Sequence, residues 1–281
     1  MKADPRFVRQ PREFWAHVRT ISQEVGYTDR RTSAIRVPTL DQIREEFLRL
    51  GLNTAHIADI AGELTPLGQL LFEYFNHRAN ILNNTVRGQL MDKAAAQAEF
   101  KRLKARLKPK CPLPMNKQKG NKKNYAFLTG IVNMLVEANV GSAPCDYDPR
   151  SLTTITHNAM PQRTLARRVD GAFPSVVNPV GIWEIKEYYY TTTFGSRVAD
   201  GVYETLLDGM ELEELEAAGR KVQHLLFLDD HFTWWKCGRS YLCRIIDILH
   251  MGFVDEVIFG REVLTRLPEV AREWKESFDA L

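Results

Sequence analysis

A basic stretch broken by prolines divides the chain. From Lys101 to Lys123 ten residues are Lys or Arg and none is acidic. Pro109, Pro112, Pro114 and Gly120 interrupt its second half, and proline lacks the amide donor that a helix interior needs. A helix therefore ends here and an exposed linker follows. The residue patterns differ on the two sides, which predicts a helical module over residues 1–108, a basic linker over 109–124 and a second unit over 125–281.

On the first side the periodicity is helical. Leu40, Ile43, Phe47 and Leu50 recur at spacings of three and four, so one amphipathic helix is expected to end near Gly51. Thr54 is placed to cap a short second helix through Ile60. Thr65-Pro66 is an N-cap and first-turn pair for a third, carrying Leu67, Leu70, Leu71, Tyr74 and Phe75. Three short helices with tight joints are the parts of a helix-turn-helix or winged-helix unit that reads DNA. They are also the parts of a plain helical bundle serving as scaffold.

Beyond the linker the pattern changes. Phe127, Leu128, Ile131, Val132, Leu135 and Val136 predict a helix with one apolar face. Extended segments follow at Thr153–His157, Thr164–Phe173 and Val180–Tyr190. A helix is expected over roughly residues 196–218, a buried strand at Val222–Leu228, and mostly helix from Arg239 to Phe278. Helix, strands, helix, strand, helices is the order of an α/β (α+β) fold, a central mixed sheet flanked by helices. With 281 residues, 44% of them hydrophobic, the chain can bury a substantial core.

Several classes are not expected. There is no run of roughly 18 apolar residues for a membrane span, and the N-terminus lacks the apolar segment of a secretory leader. Cys111, Cys145, Cys237 and Cys243 form no CxxC pair, and the histidines complete no zinc pattern. Reduced thiols in a cytoplasmic protein are the expectation. Phosphate-binding glycine loops of either common type are absent, so the chain carries no ATP motor of its own. A net charge of +3 says little about partners.

The chemistry concentrates in two segments. Asp170 lies in Arg168-Val169-Asp170-Gly171-Ala172-Phe173, and Trp183-Glu184-Ile185-Lys186 follows across the turn-forming Pro174-Ser175-Val176-Val177-Asn178-Pro179. Two strands so joined lie side by side, letting Asp170 and Glu184 face each other. Glu184 and Lys186, two apart, share one face of their strand. Glu187 points to the other face and reads as structural. Two neighbouring carboxylates repel unless something neutralises them. A hard cation such as Mg2+ takes one or two carboxylates and keeps several waters. The backbone carbonyl of Ile185 offers another oxygen, and Lys186 offers an ammonium for the hydrolytic water and the growing phosphate charge.

Asp170 followed by Glu184-Ile185-Lys186 on the next strand resembles the PD-(D/E)XK nuclease superfamily, which includes many type II restriction endonucleases. The resemblance covers roughly residues 125–228, whose order matches that family's αβββαβ core, and leaves the N-terminal part aside. It implies metal-dependent hydrolysis of DNA with Asp170, Glu184 and Lys186 catalytic and Mg2+ held by Asp170 and Glu184. Val169 stands where the motif name has proline. Tyr203 lacks a glutamine four residues before it, Ala199 standing there, which argues against the exonuclease branch. A helix glutamate reaches the metals in some members, and Glu137 is the candidate, with a solvated surface role as its alternative.

Around this core, Lys117, Lys119, Lys122 and Lys123 in the linker and Arg197 at the next helix start are candidate DNA-phosphate contacts. Tyr188–Tyr190 and Thr191–Thr193 suit phosphate and sugar contacts or plain strand propensity. Trp234 and Trp235 read as core more readily than as base-stacking platforms. The expected function is a double-stranded DNA endonuclease, acting as a homodimer and encoded beside a DNA methyltransferase if it is a restriction enzyme. A repair, recombination or mobile-element nuclease on the same fold, and a non-catalytic DNA-binding regulator, are the alternatives.

Overall fold

The computed structural model describes all residues except 9, 30, 117–123, 191–194, 217–220 and 281. The chain begins with α1 (Arg12–Val25), α2 (Leu40–Arg49) and α3 (Pro66–Asn80). Thr39 closes a capping box with Gln42 on α2, and the Thr65 hydroxyl accepts the Gly68 N–H at the start of α3. The helix expected at Thr54–Ile60 does not form. The amides of Ile57 and Ala58 both donate to the Thr54 carbonyl, and Ala58 then bridges Leu64. Asp59 accepts the Glu63 N–H and Gly62 turns the chain at φ 94°, which reverses it after a single turn. Phe14, Val18, Ile21, Ile43, Phe47, Leu71, Tyr74 and Phe75 form one core among the three helices. The described residues of this part contain only isolated bridges, with no hairpin that would serve as a wing.

A π-helical turn (Ile81–Val86) and the short α4 (Arg87–Gln89) lead to α5 (Lys93–Leu107) and α6 (Phe127–Val140). Ala96, Phe100 and Leu103 lie on one face of α5 and join the core built on α6. By packing, α5 thus belongs with the second unit, although its sequence position placed it with the first. The segment after it is anchored too: Cys111 is buried, and Asn133 of α6 donates to the Pro112 carbonyl. α6 is buried on nearly every side, because α5, α9 and the sheet surround it.

The remaining elements are β1 (Asp146–Tyr147), β2 (Thr154–His157), β3 (Met160–Thr164), β4 (Gly171–Phe173), β5 (Gly181–Glu187), α7 (Ser196–Glu216), β6 (Gln223–Asp229), α8 (Arg239–Met251), β7 (Glu256–Phe259) and α9 (Val263–Asp279). The main sheet has the order β1-β4-β5-β6-β7. β1, β4 and β5 pair antiparallel, while β5, β6 and β7 pair parallel, which makes the sheet mixed. β2 and β3 form a separate hairpin. The long strand expected over Thr164–Phe173 is divided: Thr164 ends the hairpin, Leu165 and Val169 turn into a small core with Ile155, Ala172 and Ile182, and only Gly171–Phe173 joins the sheet. β7 lies in a stretch expected to be helical. Its four residues, Glu-Val-Ile-Phe, are all buried, and so short a strand between two helices leaves little trace in a helical period.

The sheet is covered on both faces. Trp183, Ile185, Leu225, Phe227 and Ile258 pack under α6 and α9, while Leu226, Leu228, Val257 and Phe259 pack in the core of α7 and α8. Gly171 stands where a Cβ would come within 2.0 Å of the Trp183 ring, so only glycine lets β4 lie against β5 there. No helix among the described residues is long and apolar enough to cross a membrane.

A buried ion pair joins the two parts. Arg78 of α3 donates to Asp247 of α8 at 2.9 and 3.1 Å and to the Ser22 hydroxyl at 2.9 Å, and the Tyr74 hydroxyl donates to Asp247 at 2.6 Å. Arg78→Met strands the Asp247 carboxylate and is expected to remove about 3–5 kcal/mol of stability in urea denaturation. Asp247→Leu added to it is expected to return a large part of that loss.

Candidate active site

The pairing of β4 with β5 places Asp170. Gly171 stands opposite Trp183 and Phe173 opposite Gly181, so Asp170, one residue before β4, comes level with Glu184. Its amide donates to the Trp183 carbonyl at 3.1 Å, and its Oδ2 accepts the Ile185 N–H at 2.7 Å. A residue's N–H and C=O leave a strand on the same edge, so the Ile185 carbonyl also faces the space beyond the end of β4. On the α7 side of β5, Lys186 Nζ donates to Glu184 Oε2 at 2.9 Å. Of the three side chains expected to meet, Glu184 and Lys186 bond directly, and Asp170 stands beside them, level with Glu184 and within reach of both charges.

Three more residues, not singled out by sequence, complete the cluster. Glu204 and Asp208 are four apart on α7 and share one face. Lys186 Nζ donates to Glu204 Oε2 at 2.8 Å. Arg167, in the segment between β3 and β4, spans the acids. Its Nη1 lies 2.9 Å from Glu184 Oε1 and 2.7 Å from Asp208 Oδ2, and its Nη2 lies 3.1 Å from Glu184 Oε2 and 3.3 Å from Glu204 Oε2. Gly201 allows α7 to come down on the sheet, with the Lys186 stem 3.2 Å from where a Cβ would stand. A pair of acids at helical spacing after the Glu-Ile-Lys strand was the available signal for α7. Arg167 gave none while residues 164–173 read as one strand.

Four carboxylates thus surround two cations, and Glu184 and Asp208 are fully buried. Burial, reinforced by the neighbouring Glu184 charge, pushes the Asp170 carboxyl up to about 6. Burial pushes Asp208 up to about 7, although Arg167 pulls against it. Burial also works against the Glu184 charge, but Lys186 and Arg167 outweigh it and hold that carboxyl below its ordinary value. Lys186 likewise resists burial through Glu184, Asp170 and Glu204, and keeps its proton well above neutrality.

Asp208 Oδ1 is buried without a hydrogen bond, and Glu184 Oε1, though 2.9 Å from Arg167 Nη1, lies off the line of its N–H. One orphaned carboxylate oxygen and one poorly aligned one, together with Asp170, suit a hard divalent cation. The donor chemistry fits, but the carboxylates are drawn onto Arg167 and Lys186. Among the described residues no three His, Cys, Asp or Glu groups stand arranged to hold a metal.

The other candidates lie apart from the cluster or are otherwise engaged. Glu137, on α6, accepts the Lys110 N–H at 3.0 and 3.2 Å instead of meeting Asp170. Arg197 is exposed at the start of α7. Lys117, Lys119, Lys122, Lys123 and Thr191–Thr193 lie outside the described residues. Glu187 faces the opposite side, where it accepts the N–H groups of Leu128 and Thr129 at the start of α6. Burial nevertheless pushes it up to about 8. Trp234 and Trp235 are core residues, and Trp234 Nε1 donates to the Lys186 carbonyl at 3.3 Å. The hydroxyls of Tyr188, Tyr189 and Tyr190 bond to Arg197, Asp229 and Tyr125.

Residues 91–274 match the family described as Domain of unknown function (DUF7687), and residues 1–85 match Domain of unknown function (DUF7690). The division falls between α3 and α5, in keeping with the packing of α5 on α6. No curated protein and no solved structure matches the chain.

Because the folded carboxyl of Asp170 titrates near 6, above its ordinary 3.8, its ionisation opposes folding. The penalty is absent below the lower value, grows as pH rises, and is complete above the upper one. Asp170→Asn, which keeps an oxygen for the Ile185 amide, is therefore expected to stabilise the protein by about 1–2 kcal/mol at pH 7.5. Urea denaturation at pH 4 is expected to show almost none of that gain.

Proposed function

For this chain, which belongs to the family described as Domain of unknown function (DUF7687), we propose the activity of a metal-dependent DNA endonuclease of the PD-(D/E)XK type. The observation that carries the reading is the meeting of Asp170, from the end of β4, with Glu184 and Lys186 of β5 inside a mixed sheet covered by helices on both faces. Burying such charges has a high free-energy cost, and a bare structural ion pair gives little stability in return. A function that needs them accounts for their retention.

Asp170, Glu184 and the Ile185 carbonyl would hold Mg2+. When bound, the ion supplies a Lewis acid for a phosphodiester oxygen and an acidified water. The chain's own residues do the rest. Lys186, kept protonated by Glu184 and Glu204, orients the water and offsets the charge that grows on the phosphate. The apolar strands beneath exclude bulk water from the carboxylates. Arg197 at the mouth of α7, with the basic stretch around Lys117–Lys123, contacts the DNA backbone.

Within this activity we favour a type II restriction enzyme cutting double-stranded DNA as a homodimer. A repair, recombination or mobile-element role is its alternative, and substrate preference separates the two. Incubation of plasmid DNA with the protein and Mg2+ is expected to give defined fragments. Asp170→Asn, Glu184→Gln and Lys186→Met are each expected to slow cleavage by about 100-fold or more. Preference for branched or damaged DNA would move the assignment to repair. Failure to cut any DNA, modified or not, with Mg2+ or Mn2+ would overturn the proposal, as would a Lys186→Met protein that cuts like the parent.

A further inference from the structure

Of the two cations in the acidic cluster, one is built in and the other is not. Lys186 belongs to the central strand, is one-tenth exposed, and has its stem pressed against Gly201. Arg167 lies in the irregular segment between β3 and β4, and its side chain is about one-quarter exposed, at 24%. Its guanidinium stands between Glu184, Glu204 and Asp208, yet it leaves the buried Asp208 Oδ1 without a hydrogen bond and meets Glu184 Oε1, 2.9 Å from Nη1, off the direction of its N–H. A planar fork cannot point donors at every oxygen around it, whereas a spherical ion meets oxygens from any direction. The charges agree. Four carboxylates against Arg167 and Lys186 leave the fully ionised cluster at −2, and replacing Arg167 by a divalent cation brings it to −1.

We propose that Arg167 is the exchangeable counter-ion of the metal site: a divalent cation displaces its guanidinium from between Glu184 and Asp208, and Asp208 of α7 becomes a ligand beside Asp170 and Glu184. The inference rests on the metal-binding part of the preceding reading and adds a ligand and a competitor to it. Asp208 enters because the cation takes the place in which Arg167 now touches it. Arg167 needs only side-chain rotation to leave, since it is outside the sheet and already reaches solvent.

The test uses the full chain and Ca2+ as a probe, so that binding is read without cleavage. Calorimetry is expected to show Arg167→Met binding Ca2+ about tenfold or more tightly than the parent, because no resident charge has to leave. Without metal the variant is expected to melt lower than the parent, and saturating Ca2+ to raise its melting temperature more than it raises the parent's. Asp208→Asn is expected to weaken Ca2+ binding about tenfold. Should Arg167→Met fail to fold, Arg167→Lys keeps a charge but cannot span three carboxylates, and tighter Ca2+ binding than the parent is again expected. Unchanged or weaker Ca2+ affinity in the Arg167 variants overturns the exchange, as does unchanged affinity in Asp208→Asn or absence of binding in every protein. A parent that cuts DNA while the Arg167 variants bind Ca2+ no better sinks the exchange alone. A parent that binds Ca2+ as described but cuts no DNA sinks the nuclease and leaves the exchange supported.

Discussion

Two charged side chains in the middle of an apolar strand set the conditions for the structure around them. β5 must send Trp183 and Ile185 into the core of α6 and α9, and the same alternation sends Glu184 and Lys186 to the other face. There Lys186 alone does not neutralise Glu184, Asp170 and the acids of α7. Arg167 from the preceding connection and the acidic pair on α7 complete the network. The low polarity of the surroundings strengthens each attraction and makes each unpaired oxygen costly. That is why one cluster holds both a glutamate below its ordinary range and two aspartates pushed above theirs.

Much of this was legible in the residues, for a physical reason. β5 carries β-branched and aromatic residues after a turn-forming segment, β6 is a short apolar run, and α2 and α3 carry their own caps. Such local signals survive in the folded state. The meeting of Asp170 with Glu184 and Lys186 followed from strand, turn, strand. Other features depended on packing that no short window contains. Residues 54–60 have a helical cap but are turned back by Asp59 and Gly62. α6 looks one-faced until α5 and α9 close over it. Arg167, Glu204 and Asp208 come together because the chain leaves β3, crosses over and enters β4 late, a path set by Leu165 and Val169 seeking a core with Ile155 and Ile182.

The two matched families meet at a joint of unusual chemistry for a domain boundary. Arg78, Asp247, Tyr74 and Ser22 bond to one another out of reach of solvent. Directional contacts of this kind fix orientation where an apolar contact alone would permit sliding. The N-terminal helices are thereby held in one orientation on α8, which also forms part of the sheet's covering layer.

Gly171 performs no chemistry, yet the distance between two residues that do depends on it. The indole of Trp183 fills the volume that any larger residue at 171 would need. A single added methyl would wedge the two strands apart, and Asp170, the very next residue, would be carried away from the Ile185 amide that anchors it. The spacing of the carboxylates is thus governed by a hydrogen atom in the backbone beside them, and a mutational scan confined to ionisable positions would overlook the site's most exacting steric requirement.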